Sequence, residues 1–481
     1  MTTSVGVPHA AVAQLTEALR GEVLGPDSPG YDEARSVWNG MFDRRPAAIA
    51  RCAGVADVIQ AVEFARANAM EVAVRCGGHS ANGYGVCDDG LVIDLSPMKG
   101  IRIDVESRTV RAEAGLTWGE FDRETQAFGL AVTGGRFSTT GVAGLALGSG
   151  SGWLERKCGL TGDNLLSADV VTADGRLVKC SPRENADLYW GLRGGGGNFG
   201  IVTSFVFRLH EVGPMVYGGM LVCAPDKAGD ILRFMRGYMA DAPDDLGAAV
   251  AFVSAPPEEF VPREMHFKPI TGIVICWTGD HDEGERVVAP IREVAQPMMD
   301  MVGPMPYVAL QSMLDGGGQK GLNAYMKAEF MDELSDSAID KLVEHGSARP
   351  SPSVQLLLEP LGGAVSRMGE DDTALGRRDV PWCYHALSMW MEPGKEAEDA
   401  HVSWARKLHT ALEPDTTEGV YLNFTSDADE ARVRSSYGPE KYARLVELKD
   451  KYDPTNMFHL NANIKPSVEA TARAEQGRRF A

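Results

Sequence analysis

Arg75-Cys76-Gly77-Gly78-His79-Ser80 ends an apolar run, Val72-Ala73-Val74, with a charge, two glycines and an imidazole. Glycines at a strand end let the backbone take positive φ and approach a ligand closely. N–H groups exposed in such a turn form a nest that suits a pyrophosphate. A neutral imidazole is also a nucleophile near pH 7. The chemical reading is a dinucleotide loop whose cofactor is attached covalently through His79. The plain alternative is a tight turn that carries an exposed histidine.

A second block, Thr133 to Trp153, places glycines at 141, 144, 148, 150 and 152. That density disfavours a packed helix and predicts a backbone that lies flat against something. A third block, Gly194-Gly195-Gly196-Gly197-Asn198-Phe199-Gly200, is another close-approach loop. It contains G-x-G-x-x-G but leads into a strand, whereas a nicotinamide turn must open a helix. The nicotinamide reading is therefore set aside.

The elements that must position these loops follow from periodicity. Residues 11–24 read as a helix, 47–52 as a strand, 55–69 as an amphipathic helix and 71–75 as a strand, a β-α-β order. Residues 90–95 read as a strand, 101–113 as a hairpin and 118–128 as a helix. Residues 166–181 form a hairpin around Asp174-Gly175, followed by a helix over 185–192 and a strand over 201–209. After His210 the texture changes. Strands are predicted over 215–224, 271–277, 353–359 and 382–391, with helices over 227–240 and 282–296. A compact motif returns near the end, Asp453-Pro454-Thr455-Asn456 and then Leu460-Asn461-Ala462-Asn463-Ile464.

With 481 residues the chain exceeds one typical core, so two large domains are expected. The formal net charge is 47 minus 67, or −20, which argues against nucleic acid and anionic membrane as partners. No apolar run approaches a membrane span and no signal peptide is evident, so a cytoplasmic location is expected. The eight cysteines are scattered without a C-x-x-C pair, so neither zinc nor a disulfide framework is suggested, and no metal site is expected.

The ordered set of motifs carries a resemblance. It comprises Arg75-x-Gly77-Gly78-His79-Ser80, Thr139-Thr140-Gly141-Val142-x-Gly144 and Arg156-Lys157-Cys158-Gly159-Leu160-Thr161-x-Asp163-Asn164. It continues with Leu192-Arg193-Gly194 through Gly200, and Asp453-Pro454-x-Asn456-x-Phe458-x-x-Asn461. From Ala47 to Pro466 the chain resembles the berberine bridge enzyme-like branch of FAD-linked oxidases, within the vanillyl-alcohol oxidase superfamily. The resemblance implies an α+β, two-domain, PCMH-type FAD-binding fold. Residues 1–210 and 421–481 would build the FAD domain, and 211–420 a substrate domain with an antiparallel sheet backed by helices. It also implies FAD linked through its 8α carbon to His79. FAD contacts would come from Arg75, Cys76, Gly77, Gly78 and Ser80, from Thr139, Thr140, Gly141, Val142, Gly144, Gly148, Ser149 and Gly150, and from Gly200, Ile201 and Val202. Asn461 or Asn463 would meet the isoalloxazine side.

One departure concerns the second flavin link that many members make through a cysteine. Its position falls near Gly141 here, so a single covalent bond is expected, and Cys158 is not expected to form a second. Another concerns the base. The family segment Tyr-x-Asn-Tyr is Tyr421-Leu422-Asn423-Phe424, and Phe424 cannot take a proton. The sheet strand ending at Trp390 puts His385 where the family's polar catalytic residue lies. An imidazole suits that role, although a histidine among Cys383, Leu387 and Met389 also reads as a core residue. Tyr421 is the second catalytic candidate. Arg367, Arg377 and Arg378 read as structural, with binding of an acidic or phenolate substrate as the alternative. The expected activity is removal of a hydride from an alcohol, amine or activated C–H of a small molecule, with electrons passed to O2 to give H2O2. An FAD dehydrogenase with another acceptor and a catalytically impaired flavin-binding protein are the alternatives. Oligomeric state is not readable from the sequence.

Overall fold

Two sheets carry the glycine-rich loops and a third faces them. The computed structural model describes residues 9–259, 261–417 and 419–479. In the first sheet, Ala48–Arg51 and Val72–Arg75 both run parallel to Leu91–Asp94, which lies between them, and Glu22–Leu24 adds antiparallel at the edge. The helix Val55–Ala67 makes the crossover and buries Val58, Ala61, Val62 and Ala65, one helical stripe. The helix predicted over 11–24 is shorter, His9–Ala18, and is followed by the strand Glu22–Leu24. The cause is Asp57, whose carboxylate accepts the N–H groups of Arg20 and Gly21, each at 2.9 Å, and so takes them from a helical ladder.

The second sheet is antiparallel, in the order Ile101–Asp104, Thr109–Glu113, Ile201–Arg208, Leu165–Val171, Leu177–Cys180. Both predicted hairpins are present. The glycine-rich block differs from its flat expectation, because Val142–Leu147 is a short helix. Its alanines and leucines supply propensity and a buried face, and Gly148 ends it.

The third sheet has eight strands. Seven run in the order Met299–Asp300, Met215–Cys223, Pro269–Trp277, Leu246–Ser254, Gln355–Pro360, Trp382–Trp390, Asn323–Met331, and Gly303–Pro306 also pairs with Met215–Cys223. Its pairs are antiparallel. The helices Ala228–Asp241, His281–Ala295, Asp336–Ser347 and Lys395–Leu412 cover one face and bury Trp382, Tyr384, Ala386 and Trp390. The alternating residues His385 and Leu387 point the other way, toward the glycine loops.

The long helix Glu430–Tyr452 bends at Gly438, where φ is 72° and ψ 165° before Pro439. The bend sends Tyr437, Tyr442, Leu445 and Leu448 into the core that also holds the first two sheets. The segment after it is fixed from within. Fully buried Lys449 meets Asp453 at 2.7 Å and donates to the carbonyls of Asn198 and Phe458. The two Asp453 oxygens accept the N–H groups of Met457 and Phe458. The Asp-Pro turn thus closes beneath the loop 194–200 and presents Asn461.

Candidate functional site

The glycine loops and the third sheet enclose one long cleft of about 2010 Å³, its open mouth included. Arg75 and Asp94 face each other across the parallel register and pair at 2.7 Å, and Arg75 also donates to the Ala34 carbonyl. The guanidinium is therefore committed to holding two strand ends. Gly78 takes φ +69°, which turns the chain toward His79. Gly77 and Gly141 approach each other closely: a methyl on Gly77 would lie 2.4 Å from the Gly141 nitrogen, and one on Gly141 2.5 Å from Cys76 Sγ. The two loops cross glycine on glycine.

The crossing places His79 Nε2 2.8 Å from Thr139 Oγ1, and the ring stacks on Trp38 with centroids 5.2 Å apart. Burial and the nearby Lys320 ammonium push its pKa down to about 4, so the imidazole is neutral near pH 7. With Nε2 engaged by the hydroxyl, Nδ1 is the nitrogen left for chemistry.

Of the predicted cofactor residues, Arg75, Cys76, Gly77, Gly78, His79, Ser80, Thr140, Gly141, Gly144, Gly148, Gly200, Ile201, Val202 and Asn461 line the cleft. Thr139 is joined to it through His79. Val142, Ser149, Gly150 and Asn463 do not line it. Val142 and Ser149 are buried, and Gly150 packs on Thr161. Gly194, Gly196 and Gly197 do line it, as the third glycine run hinted without naming contacts. The wall fits a flat, elongated cofactor such as FAD. At Gly144 and Gly197 a methyl would meet no protein atom within 4 Å, so these glycines keep space for an occupant rather than for protein. Asn461 Oδ1 is buried there without a hydrogen-bond partner.

The opposite wall belongs to the third sheet. On Gln355–Pro360 the residues Gln355, Leu357 and Glu359 face the cleft, and on Trp382–Trp390 so do His385 and Leu387. Leu357 pairs directly with His385, and Glu359 with Cys383. Glu359 and His385 are thus diagonal neighbours on one face, within reach of long side chains. Glu359 Oε2 lies 2.8 Å from His385 Nε2 and 2.9 Å from Arg136 Nη2, all three side chains being buried. Glu155 stands 3.6 Å from the same guanidinium. One cation thus serves two carboxylates. Burial pushes Glu359 up, but the closer Arg136 and His385 outweigh it and hold it below the usual range. Burial, with Glu359 nearby, raises Glu155. Arg136 also lies over the Trp153 ring at 4.9 Å. Glu359 was missed in the sequence, where it is simply the charge that ends Gln355-Leu356-Leu357-Leu358.

Tyr421 does not line the main cleft, in contrast to its reading as a catalytic residue. Its buried hydroxyl accepts from Ser151 N–H at 2.9 Å and from Asn423 Nδ2 at 3.1 Å, and burial raises its pKa. Phe424 stands in front of it, with ring centroids 5.4 Å apart, and packs edge-on against His385. The three arginines are structural: Arg378 pairs with Asp163 and Thr373, Arg377 with Asp332 and Asp379, and Arg367 with Asp244. Cys158 is buried in a separate apolar cluster with Trp153 and Cys276. Cys76 is the thiol beside Gly141, and burial pushes it up to about 11, which keeps it protonated.

Residues 46–181 match the family described as FAD binding domain, and residues 420–465 the family described as berberine and berberine like. An FAD-linked oxidoreductase of Dictyostelium discoideum is 32% identical over 460 residues, 95% of this chain and 97% of that one. The (R)-6-hydroxynicotine oxidase of Paenarthrobacter nicotinovorans is 32% identical over 465 residues, 93% of this chain and 97% of that one. The crystal structure of 6-hydroxy-D-nicotine oxidase from Arthrobacter nicotinovorans superposes with a TM-score of 0.84 at 30% identity, covering 93% of this chain and 98% of that one.

Proposed function

The chain belongs to the berberine bridge enzyme-like FAD-linked oxidoreductases, and from that premise we propose that it is an oxidase that takes a hydride from a small organic molecule, with FAD held by one covalent bond to His79 and O2 as the final acceptor. The observation that carries this reading is the Glu359–His385 pair facing the glycine wall across a single cleft. FAD, when bound, supplies the two-electron redox chemistry. The remaining work falls to the chain's own residues.

Gly77, Gly141, Gly144 and Gly197 leave the backbone close enough to hold the cofactor, and Asn461 Oδ1 offers an acceptor to it. His79, neutral and oriented by Thr139, is the nucleophile for attachment. The thiol of Cys76, kept protonated, is a poor second nucleophile, which supports a single bond. On the sheet wall, Glu359 and His385 receive the proton that the donor loses as its hydride departs. Arg136 keeps Glu359 ionised and ready to receive it. This pair supplies the proton acceptor that Phe424 cannot, and so removes the main ground for an impaired flavin binder.

The test begins with purified protein denatured in acid. A yellow pellet that turns colourless in His79→Ala supports the covalent link, and a yellow supernatant from the unaltered chain refutes it. Stoichiometric H2O2 on turnover supports the oxidase reading. Turnover only with an added quinone or dye would replace it with a dehydrogenase.

A further inference from the structure

We infer that the donor oxidised in this cleft is an uncharged, largely apolar, multi-ring alcohol, rather than a carbohydrate or an ammonium-bearing amine. The inference rests on the oxidase reading above and concerns the sheet wall of the same site.

The wall offers hydrogen bonds at two stations. One is the Glu359–His385 pair. The other is Gln355, whose Nε2 donates one hydrogen to the Gly317 carbonyl at 3.2 Å and whose Oε1 is an acceptor. Gln355 and Glu359 are four residues apart on one strand, so the stations stand about 13 Å apart along it. Leu357 fills the gap on that strand. Leu387, directly opposite Gln355, and Met326, directly opposite Leu387, continue the apolar floor across two more strands. Phe424 and Leu314 also line this stretch. The occupant that matches is an apolar body of two or three rings with a hydroxyl at the Glu359–His385 end.

A sugar fits poorly. Each ring hydroxyl laid on Leu357, Leu387 or Met326 would lose its water without a partner, at a cost of roughly tenfold or more in affinity. A cation fits poorly as well. The Glu359 Oε2 atom already faces the Arg136 guanidinium at 2.9 Å and His385 Nε2 at 2.8 Å, so an ammonium group would have to compete with both for it. An alcohol asks only for an acceptor for its O–H. In the step that follows, the carbinol C–H breaks and leaves with its electron pair as hydride to FAD. The O–H proton passes to the Glu359–His385 pair and a C=O bond forms. The alcohol loses two electrons and FAD gains them, and O2 with two protons takes them on as H2O2.

The test uses the flavin-loaded protein without oxygen and follows bleaching of its visible absorbance. The probes are 1-(2-naphthyl)ethanol, 1-(2-naphthyl)ethylamine and cellobiose. Bleaching is expected with the alcohol, at least tenfold slower with the amine, and absent with cellobiose. Faster bleaching by the amine or by cellobiose overturns the inference, as does a failure of the alcohol to reduce a flavin that dithionite reduces. A binding readout separates wall from chemistry. A hydroxyl at naphthyl position 6 should tighten the ketone product about three- to tenfold relative to the parent ketone, seen as a shift of the flavin spectrum, and Gln355→Leu should bring the two ketones to equal affinity. An unchanged gain in Gln355→Leu overturns the second station. A protein that takes up no FAD refutes the oxidase reading itself, whereas a yellow protein bleached by cellobiose refutes only the substrate class.

Discussion

Glu359 and His385 lie 2.8 Å apart because the strands Gln355–Pro360 and Trp382–Trp390 pair in a register that sets them diagonally on the face opposite the helices. A one-residue slip of either strand would turn that strand's member of the pair into the helix-covered core. If the pair takes the donor's proton, Glu359→Gln keeps the shape and removes the acceptor. The rate constant for anaerobic flavin reduction is expected to fall about 10²- to 10⁴-fold, with donor affinity changed far less. The double variant with His385→Ala should be no slower than the worse single variant, since the two act as one unit. Stopped-flow absorbance measures all three, and losses that multiply would show that the residues act separately.

Much of the glycine-lined wall of the cleft was legible in the sequence, and little of the sheet wall was. His79 and the glycine runs stand out because a strand end followed by Gly77-Gly78, or glycines recurring at 141, 144 and 148, are costly in regular structure unless a close approach requires them. Their physical reason is local, so the sequence displays it. Glu359 has no local signature. It acquires meaning only when Trp382–Trp390 pairs beside its own strand and Arg136 arrives from a distant loop. The strand Leu246–Ser254 escaped for a related reason: buried along most of its length and apolar on both faces, it lacks the period-two alternation that marks a half-exposed strand. Tyr421 is the opposite case. Its motif was visible, but the side chain's direction depends on Phe424 occupying the place in front of it.

That geometry predicts a small kinetic effect for Tyr421→Phe. The hydroxyl accepts from Ser151 and Asn423 and does not reach the cleft. Flavin reduction should change less than about tenfold, whereas leaving the buried Ser151 N–H without its acceptor should cost about 1–3 kcal/mol of stability. Urea unfolding and stopped-flow reduction on the same preparation separate the two. A loss of reduction rate as large as that of Glu359→Gln would return Tyr421 to the chemistry.

Gly144 separates fold from cofactor in a similar way. It lies in the helix Val142–Leu147, is exposed, and faces space in which a methyl meets nothing. A leucine there improves helix propensity by roughly 0.5–1 kcal/mol, so apoprotein stability should hold or rise. The same side chain would project into the room kept for FAD. Gly144→Leu is therefore expected to purify folded and colourless, with flavin content measured by absorbance and melting by circular dichroism. A fully yellow Gly144→Leu protein would place the cofactor elsewhere in the cleft.

His79 gives a prediction with a definite pH sign. Its pKa in the fold is lowered to about 4, against an ordinary value near 6.5. A depressed value means that the neutral form is favoured by folding. The stability this contributes is present above about pH 6.5 and is lost as pH falls through 4. If His79 carries the flavin as proposed, the same shift governs attachment, because only the neutral ring is a nucleophile. Apoprotein mixed with FAD should therefore form covalent flavin at a nearly constant rate between about pH 5 and 8, with the rate declining only as pH approaches 4. Acid-precipitated flavin, sampled over time, measures it. Thr139→Val should slow attachment across that range while leaving reversible FAD binding in place, since the hydroxyl that engages Nε2 is gone and the tautomer is no longer fixed. A rate that instead halves near pH 6.5 would mean that His79 titrates as a solvated histidine and that the Trp38 stack does not shield it.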